Sequence, residues 1–292
     1  MDYIGHVIRP PSEAYSMIIQ VTVGCSHNMC TFCGAYKEQK YRLKDLETVK
    51  RDIDEASTSG YPFTKAFFAD GDVLILPTAT LLDLFSYLKE KNPQIKRIGV
   101  YGNTKAILRK SPQELKELKA AGLGIVYQGI ESGHKEVLRK IKKGAFPERM
   151  METAEKIMAA DLLLSQTVLL GIGGVEMSKE HAIETGRLLG KMSPDYASAL
   201  TVMLLPNTPL WQDYQKGLFR LPDKFGLLEE LKDIIKNMNV RKDCFFASNH
   251  ASNYLPIKAS FPKEQKKVLT MIEDVLKKRD DSILRPENLR AL

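Results

Sequence analysis

Met17-Ile18-Ile19-Gln20-Val21-Thr22-Val23 runs without a break into Gly24-Cys25-Ser26-His27-Asn28-Met29-Cys30-Thr31-Phe32-Cys33. Apart from one glutamine, the first seven residues are apolar or β-branched, and a glycine bounds them. They read as a buried strand that delivers three cysteines onto one compact loop.

The same grammar repeats downstream. Strands are expected at Lys65 to Ala69, Arg97 to Tyr101, Gly124 to Ile130, Leu162 to Leu170 and Tyr196 to Leu204. Each ends in a polar or glycine-rich turn, or at a proline: Asp70-Gly71-Asp72, Gly102-Asn103-Thr104, Glu131-Ser132-Gly133, Gly171-Ile172-Gly173-Gly174 and Pro206. Helical periodicities fall between them, around Asp45 to Ser59, from Pro77 to about Asn92, after the capping box of Ser111 and Glu114, and from Ser178 to Met192. Strands alternating with helices require a parallel sheet. The fold class is therefore α/β, a partial (β/α)6 barrel related to the eight-fold one, with function at the strand ends. Residues 1–206 are expected to form this core and residues 207–292 a C-terminal extension covering the barrel mouth. Within the extension Trp211 to Pro222 reads as loop, Leu227 to Met238 as helix, and Phe245 to Pro262 as a further strand and loop before a basic last helix.

Composition narrows the function classes. The 292 residues include 43% hydrophobic and 27% charged, enough to bury a full core. No basic segment followed by an apolar run opens the chain, and no stretch approaches eighteen apolar residues, so a cytoplasmic protein with no membrane partner is expected. The net charge of +7 suits encounters with polyanions such as RNA. The basic residues are scattered, however, and short clusters such as Arg139-Lys140-Ile141-Lys142-Lys143 read as solvated helix faces. Four cysteines are too few for a disulfide scaffold, and three of them fall within nine residues, as metal or redox chemistry requires.

Cys25, Cys30 and Cys33 are spaced C-x4-C-x2-C. Thiolates turned inward from one loop suit a cluster that favours soft sulfur ligands. Three ligands for four irons would leave one iron open to chelation. A structural zinc site completed by His27 and three unrelated buried cysteines are the alternatives, although a structural zinc takes four ligands and His27 sits between the first two cysteines.

This segment resembles the cluster-binding loop of the radical S-adenosylmethionine (SAM) superfamily, whose usual spacing is one residue shorter in the first gap. The longer gap is similar to that of the radical SAM domain of elongator-type acetyltransferases. Phe32 occupies the aromatic position that, in the family, packs on the adenine of SAM. Further features follow in the family's chain order. Asp70, Gly71 and Asp72 resemble the motif after the second strand that receives the SAM amino group, and Asn103 stands at the next strand end. Glu131 and Ser132 match polar residues that bond the ribose or carboxylate. Gly171 and Gly173 lie where a glycine-rich backbone approaches the adenine, and Leu205 where main-chain groups complete that site. The resemblance, over residues 17 to 206, implies a 4Fe-4S cluster and SAM as cofactors. It also implies a flavodoxin- or ferredoxin-type electron donor, and reductive cleavage of SAM to a 5′-deoxyadenosyl radical that abstracts hydrogen from substrate.

Gly129-Ile130-Glu131-Ser132-Gly133, with Val137-Leu138 and Lys143-Gly144, resembles the elongator, methylthiotransferase and oxygen-independent coproporphyrinogen oxidase branch. No acetyltransferase domain, second cysteine cluster or cobalamin domain is evident, so a small or medium-sized molecule is the expected substrate. The alternatives are an RNA- or nucleobase-modifying enzyme and a non-catalytic iron-sulfur or haem carrier. In the extension, Ser248-Asn249-His250-Ala251-Ser252-Asn253-Tyr254 is the densest polar run. If Phe245 to Ser248 is a seventh strand, His250 and Asn253 would face the mouth as catalytic or substrate-orienting groups. The alternative is a surface turn. Tyr36, Lys37, Tyr41 and Arg42 would line the same pocket or form a solvated loop. His6, His134 and His181 read as structural or exposed, and Cys244 as a small buried hydrophobe.

Overall fold

The computed structural model describes residues 1–291, folded as two compact units. The first unit comprises Met1–Asn28, Ala35–Gln128 and Glu152–Leu164, and the second Met29–Gly34, Gly129–Met151 and Ser165–Leu292.

In the first unit the run expected as one strand breaks at Val21. Strand β1 (Met17–Gln20) pairs in parallel with β4 (Lys65–Ala69), whereas β2 (Thr22–Val23) turns to pair antiparallel with β3 (Arg42–Leu43). The Val21 amide still donates to Ala69 O, and the Lys44 amide donates to Val21 O, so one residue hands the chain from one ladder to the other. Parallel pairing continues from β4 to β5 (Arg97–Tyr101) and on to β6 (Leu123–Glu131). Helices α1 (Leu46–Ser57), α2 (Thr78–Lys91), α3 (Thr104–Arg109) and α4 (Pro112–Ala121) alternate with these strands. Side-chain caps from Asp45, Asn103 and Ser111 start three of the four, and the Ser111–Glu114 capping box forms as expected. Both faces of β4 are buried, which explains its unbroken apolar sequence. Phe67 packs edge-on against Tyr101 and Tyr127 on one face, and Phe68 packs against Phe85 of α2 on the other.

In the second unit β7 (Leu163–Leu170), β8 (Tyr196–Thr201) and β9 (Cys244–Ala247) are parallel, and β10 (Lys258–Phe261) runs antiparallel to β9. Strand β9 is the seventh parallel strand anticipated near Phe245. Helices α5 (Lys135–Lys140), α7 (Gly174–Met192), α8 (Pro209–Gln215), α9 (Lys224–Asn237) and α10 (Gln265–Lys278) belong to this unit, whereas α6 (Pro147–Ala159) has most of its residues in the first. Helices α7 and α9 pack closely because α7 carries small residues at the crossing: a Cβ on Gly186 would lie 2.3 Å from Ile234 O. The stretch read as loop from Trp211 begins inside a helix instead. Thr208 caps α8 through the Trp211 amide, and Pro209 takes the first helical position, where its missing N–H costs nothing. The strand expected to reach Leu204 stops at Thr201, whose amide is taken by Ser252 Oγ. Among the described residues no helix is long and apolar enough to cross a membrane.

Candidate active site

Cys25, Cys30 and Cys33 are half-buried thiols outside any disulfide, so the soft donors a cluster needs are present. No set of three or more His, Cys, Asp or Glu side chains among the described residues is already gathered as metal ligands. Support for the cluster is the thiol chemistry and the way each cysteine's surroundings are built. Gly71 passes directly against the first cysteine: a Cβ there would lie 2.8 Å from Cys25 Cβ and 2.9 Å from the Tyr36 ring, so only glycine admits this approach. Gly24 turns the chain into the loop with φ +80°, and its amide donates to Asp70 Oδ2. In the second unit Thr31 is held from both sides, its amide donating to Ile141 O at 2.9 Å and its carbonyl accepting from the Leu210 amide at 3.0 Å. Asn207 Nδ2 donates to Gly34 O, and the half-buried Leu205 side chain packs over Gly34. Phe32 is half-buried on the same loop.

The two carboxylates after β4 do different work. Asp70 is buried and spent internally: Oδ1 accepts from the Tyr36 hydroxyl at 2.5 Å, and Oδ2 from Gln20 Nε2 and the Gly24 amide. Burial pushes the Asp70 carboxyl above its usual range, opposed by these hydrogen bonds. It braces the end of β1, and its side chain has little left for a cofactor. Asp72 joins strand ends instead. Its carboxylate accepts from the Ser26 hydroxyl, from Asn103 Nδ2 at 2.6 Å and from the Asn103 amide at 3.2 Å. Asn103 also caps α3 through the Ala106 amide, so one residue orients the helix and the Asp72 carboxylate together. The knot of Ser26, Asp72 and Asn103 stands one residue past Cys25.

At the end of β6, Glu131 adopts φ +64°, a left-handed conformation rare for a residue with a side chain. Its carboxylate is paired with Lys143 Nζ at 2.8 Å, with both side chains largely buried. Ser132 is fully buried and meets His181 Nδ1 at 2.8 Å. His181, expected to be structural or exposed, is wholly buried; its Nε2 faces Leu169 O at 3.1 Å and Glu230 Oε1 at 3.3 Å. Glu230, on α9, also accepts from the Gly171 amide at 2.5 Å and from Ser178 Oγ at 2.6 Å. This carboxylate fixes the glycine-rich turn after β7 and was not singled out from the sequence. Gly171 needs its φ of +79°, and a Cβ there would meet Leu221 at 2.7 Å; a Cβ on Gly173 would meet His181 at 3.2 Å. These glycines are accounted for by packing within the unit. Leu205 O accepts from both the Thr208 amide and its hydroxyl.

Asn253 and His250 part company. Asn253 is buried, donates to Ala199 O and Ser248 O, and accepts from Thr201 Oγ1 through Oδ1. It ties β8 to the turn after β9, and both of its donors are used within the chain. His250 is half-buried. Its Nδ1 accepts from the Ser252 amide at 3.1 Å, which places the ring proton on Nε2. Burial and then the Arg285 guanidinium hold the imidazole below its ordinary pKa, so it is neutral near pH 7. Cys244 is fully buried, and burial pushes its thiol up to about 12.

A parallel sheet with polar strand ends and a three-cysteine loop after its first strand define a class of enzymes built around a cluster and a nucleoside cofactor. The family model of the radical SAM superfamily matches residues 19–189, and the chain belongs to that superfamily. Its members are enzymes that bind a 4Fe-4S cluster and SAM. An uncharacterized methyltransferase of Pyrococcus horikoshii is 24% identical over 202 residues, covering 67% of this chain and 41% of its own length. Among solved structures, coproporphyrinogen III oxidase from Escherichia coli, a radical SAM enzyme, superposes with TM-score 0.59 at 18% identity. It covers 76% of this chain and 51% of the other. The Methanocaldococcus infernus Elp3 lacking residues 1–46 gives 0.53 at 16%, covering 90% and 63%. These likenesses show the fold, a partial barrel of the TIM type. The chain spans less than two thirds of the length of each of these proteins.

Proposed function

We propose that this chain cleaves SAM reductively at a 4Fe-4S cluster held by Cys25, Cys30 and Cys33, and abstracts hydrogen from a small or medium-sized substrate. The observation that carries this reading is the family match over residues 19–189 together with the C-x4-C-x2-C loop, built by glycines that admit no side chain. When bound, the cluster supplies the electron that splits the sulfonium to methionine and a 5′-deoxyadenosyl radical. A flavodoxin- or ferredoxin-type protein is the proposed donor.

The chain's own residues orient and exclude water. The Asp72 carboxylate, pre-set by Asn103 and Ser26, is an acceptor suited to an ammonium group. Glu131, held by Lys143, is a second anchored carboxylate at a strand end, suited to ribose hydroxyls. Gly71 and Phe32 offer backbone and ring surface beside the cysteines. Asp70, Ser132, Gly171, Gly173 and Leu205 support these positions rather than contact cofactor with their side chains. His250 presents a neutral Nε2–H that can donate a hydrogen bond to a polar substrate, with Asn253 ordering the segment that carries it. We keep residues 1–206 as the catalytic core and 207–292 as an extension over the mouth.

Anaerobic reconstitution followed by reduction with dithionite in the presence of SAM tests the reading. Release of 5′-deoxyadenosine supports it; iron and sulfide incorporation without such release would favour a cluster carrier. The name of the Pyrococcus horikoshii relative favours one second reading, methyl transfer, which S-adenosylhomocysteine formation would reveal. RNA in place of a small molecule as substrate is separated by assaying turnover with and without tRNA.

A further inference from the structure

Buried polar atoms without partners are rare, because each one forfeits its hydrogen bonds with water. The hydroxyl of Tyr41 is in this position. Its place in the chain is set by the short β2–β3 ladder. Val23 pairs with Arg42, so the next step of the ladder brings Tyr41 opposite Gly24, the residue before Cys25. The packing agrees: a Cβ on Gly24 would lie 3.5 Å from Tyr41 Cα. The ionisable neighbours of the phenol are Asp72 and Cys25.

Of these two neighbours, Asp72 already accepts from Ser26 and twice from Asn103, and the Tyr41 hydroxyl makes no bond to it. Cys25 is a free thiol, and a thiol becomes a thiolate, a stronger acceptor, on binding iron. Gly71, past the end of β4, brings no side chain beside Cys25, since a Cβ there would lie 2.8 Å from Cys25 Cβ.

We propose that Tyr41 donates its hydroxyl proton to the Cys25 sulfur once that sulfur is a cluster ligand, and so sets the reduction potential of the cluster. Hydrogen bonds to ligand sulfur delocalise negative charge and favour the reduced cluster, whose extra electron they stabilise. Tyr41 is therefore a positioning and tuning residue and touches no reacting atom. The inference rests on the cluster assignment above.

The test is Tyr41→Phe, which removes only the hydroxyl. Wild-type and variant chains are reconstituted anaerobically with iron and sulfide. The cluster midpoint potential is followed by an EPR-monitored titration without SAM, and apo-protein melting is measured alongside. Equal iron content, a lower potential in the variant and an apo-protein at least as stable as wild type are expected, because the unliganded chain loses only an unsatisfied group. A potential unchanged within error in a fully loaded variant overturns the inference, as does an unchanged potential with several-fold weaker SAM binding, which would give the hydroxyl to the cofactor. Failure of the wild-type chain to assemble any cluster would instead bring down the proposed function, so the two failures are told apart.

Discussion

The Glu230 carboxylate reaches from α9 to the backbone amide of Gly171 at the end of β7, 2.5 Å away, and both residues are buried. The same carboxylate takes the Ser178 hydroxyl and faces His181 Nε2. Glu230→Ala therefore strands the buried Gly171 amide and the half-buried Ser178 hydroxyl. At roughly 1–3 kcal/mol each, about 3 kcal/mol or more of unfolding free energy should be lost, read as the shift of the urea midpoint. Glu230→Gln, which keeps an acceptor for Gly171, should lose less. An alanine variant within about 0.5 kcal/mol of wild type, the range of an ordinary surface change, would show that water replaces the carboxylate.

Gly171→Ala and Gly60→Ala separate strain from crowding. Both glycines have positive φ, +79° and +73°, but only Gly171 has neighbours where a methyl would go, with Leu221 at 2.7 Å. Gly60→Ala should cost about 1 kcal/mol from the left-handed conformation alone. Gly171→Ala should add an overpacking penalty of roughly 1–3 kcal/mol. Equal costs in thermal denaturation would mean that the turn after β7 relaxes freely.

Thiol labelling sorts the four cysteines. With its thiol pushed up to about 12 by burial, Cys244 has almost no thiolate at pH 8. Iodoacetamide at that pH should alkylate Cys25, Cys30 and Cys33 in the apo-protein and spare Cys244, as peptide mass mapping will show. Cys244→Ala should retain full iron incorporation, whereas alanine at any of the other three should abolish it. Loss of iron in the Cys244 variant would require a four-cysteine site and sink the open-iron reading.

Asp72→Asn tests the strand-end knot. The carboxamide keeps the shape but turns a donor toward Asn103, so the pair that pre-sets the acceptor is broken. SAM affinity in the reconstituted protein should fall about tenfold, the equivalent of roughly 1.4 kcal/mol, while iron content stays at the wild-type level. Unchanged affinity measured by equilibrium dialysis would remove Asp72 from the cofactor site.

His250 gives a pH signature. Its folded pKa lies below the ordinary 6.5, so protons bind the unfolded chain more readily. The stability this imidazole contributes is fully present above pH 6.5 and is lost as pH falls from there through the folded pKa. The melting temperature of wild type minus that of His250→Gln should be constant above about pH 7 and decline below 6.5. A difference that grows on acidification would mean that the folded state prefers the imidazolium, against the neutral donor inferred from Ser252.

The strands of the barrel were legible because both of their faces are buried, which leaves an unbroken apolar run for the reader. Lys65 to Ala69 and Arg97 to Tyr101 appear at the bounds expected of them. The break at Val21 was not legible, since nothing local distinguishes it; the chain turns there to meet β3, some twenty residues away in sequence. Helix α8 was missed because Pro209 and Asn207 look like loop residues, although Thr208 before a proline is also a helix start. Residue type and strand-end position pointed to Cys25, Asp72 and Asn103, and the structure joins the last two by hydrogen bonds. They could not tell Asp72 from Asp70, because which carboxylate is consumed by Tyr36 and Gln20 depends on side chains brought from elsewhere. Glu230 reads as the solvated face of an amphipathic helix. It is buried only because Gly186 lets α9 settle onto α7, a long-range event with no local signature.

Thr31 has both of its main-chain groups engaged, to Ile141 and Leu210, and it lies between two of the three thiols. The main chain between Cys30 and Cys33 is thus held by polypeptide folding before any iron arrives, and the freedom lost in ordering it does not weigh on metal capture. If the three sulfurs bind iron as proposed, Cys30 and Cys33, on this tethered stretch, are the pair expected to meet it first. Chelator withdrawal should run the other way, passing through a species that keeps iron on Cys30 and Cys33.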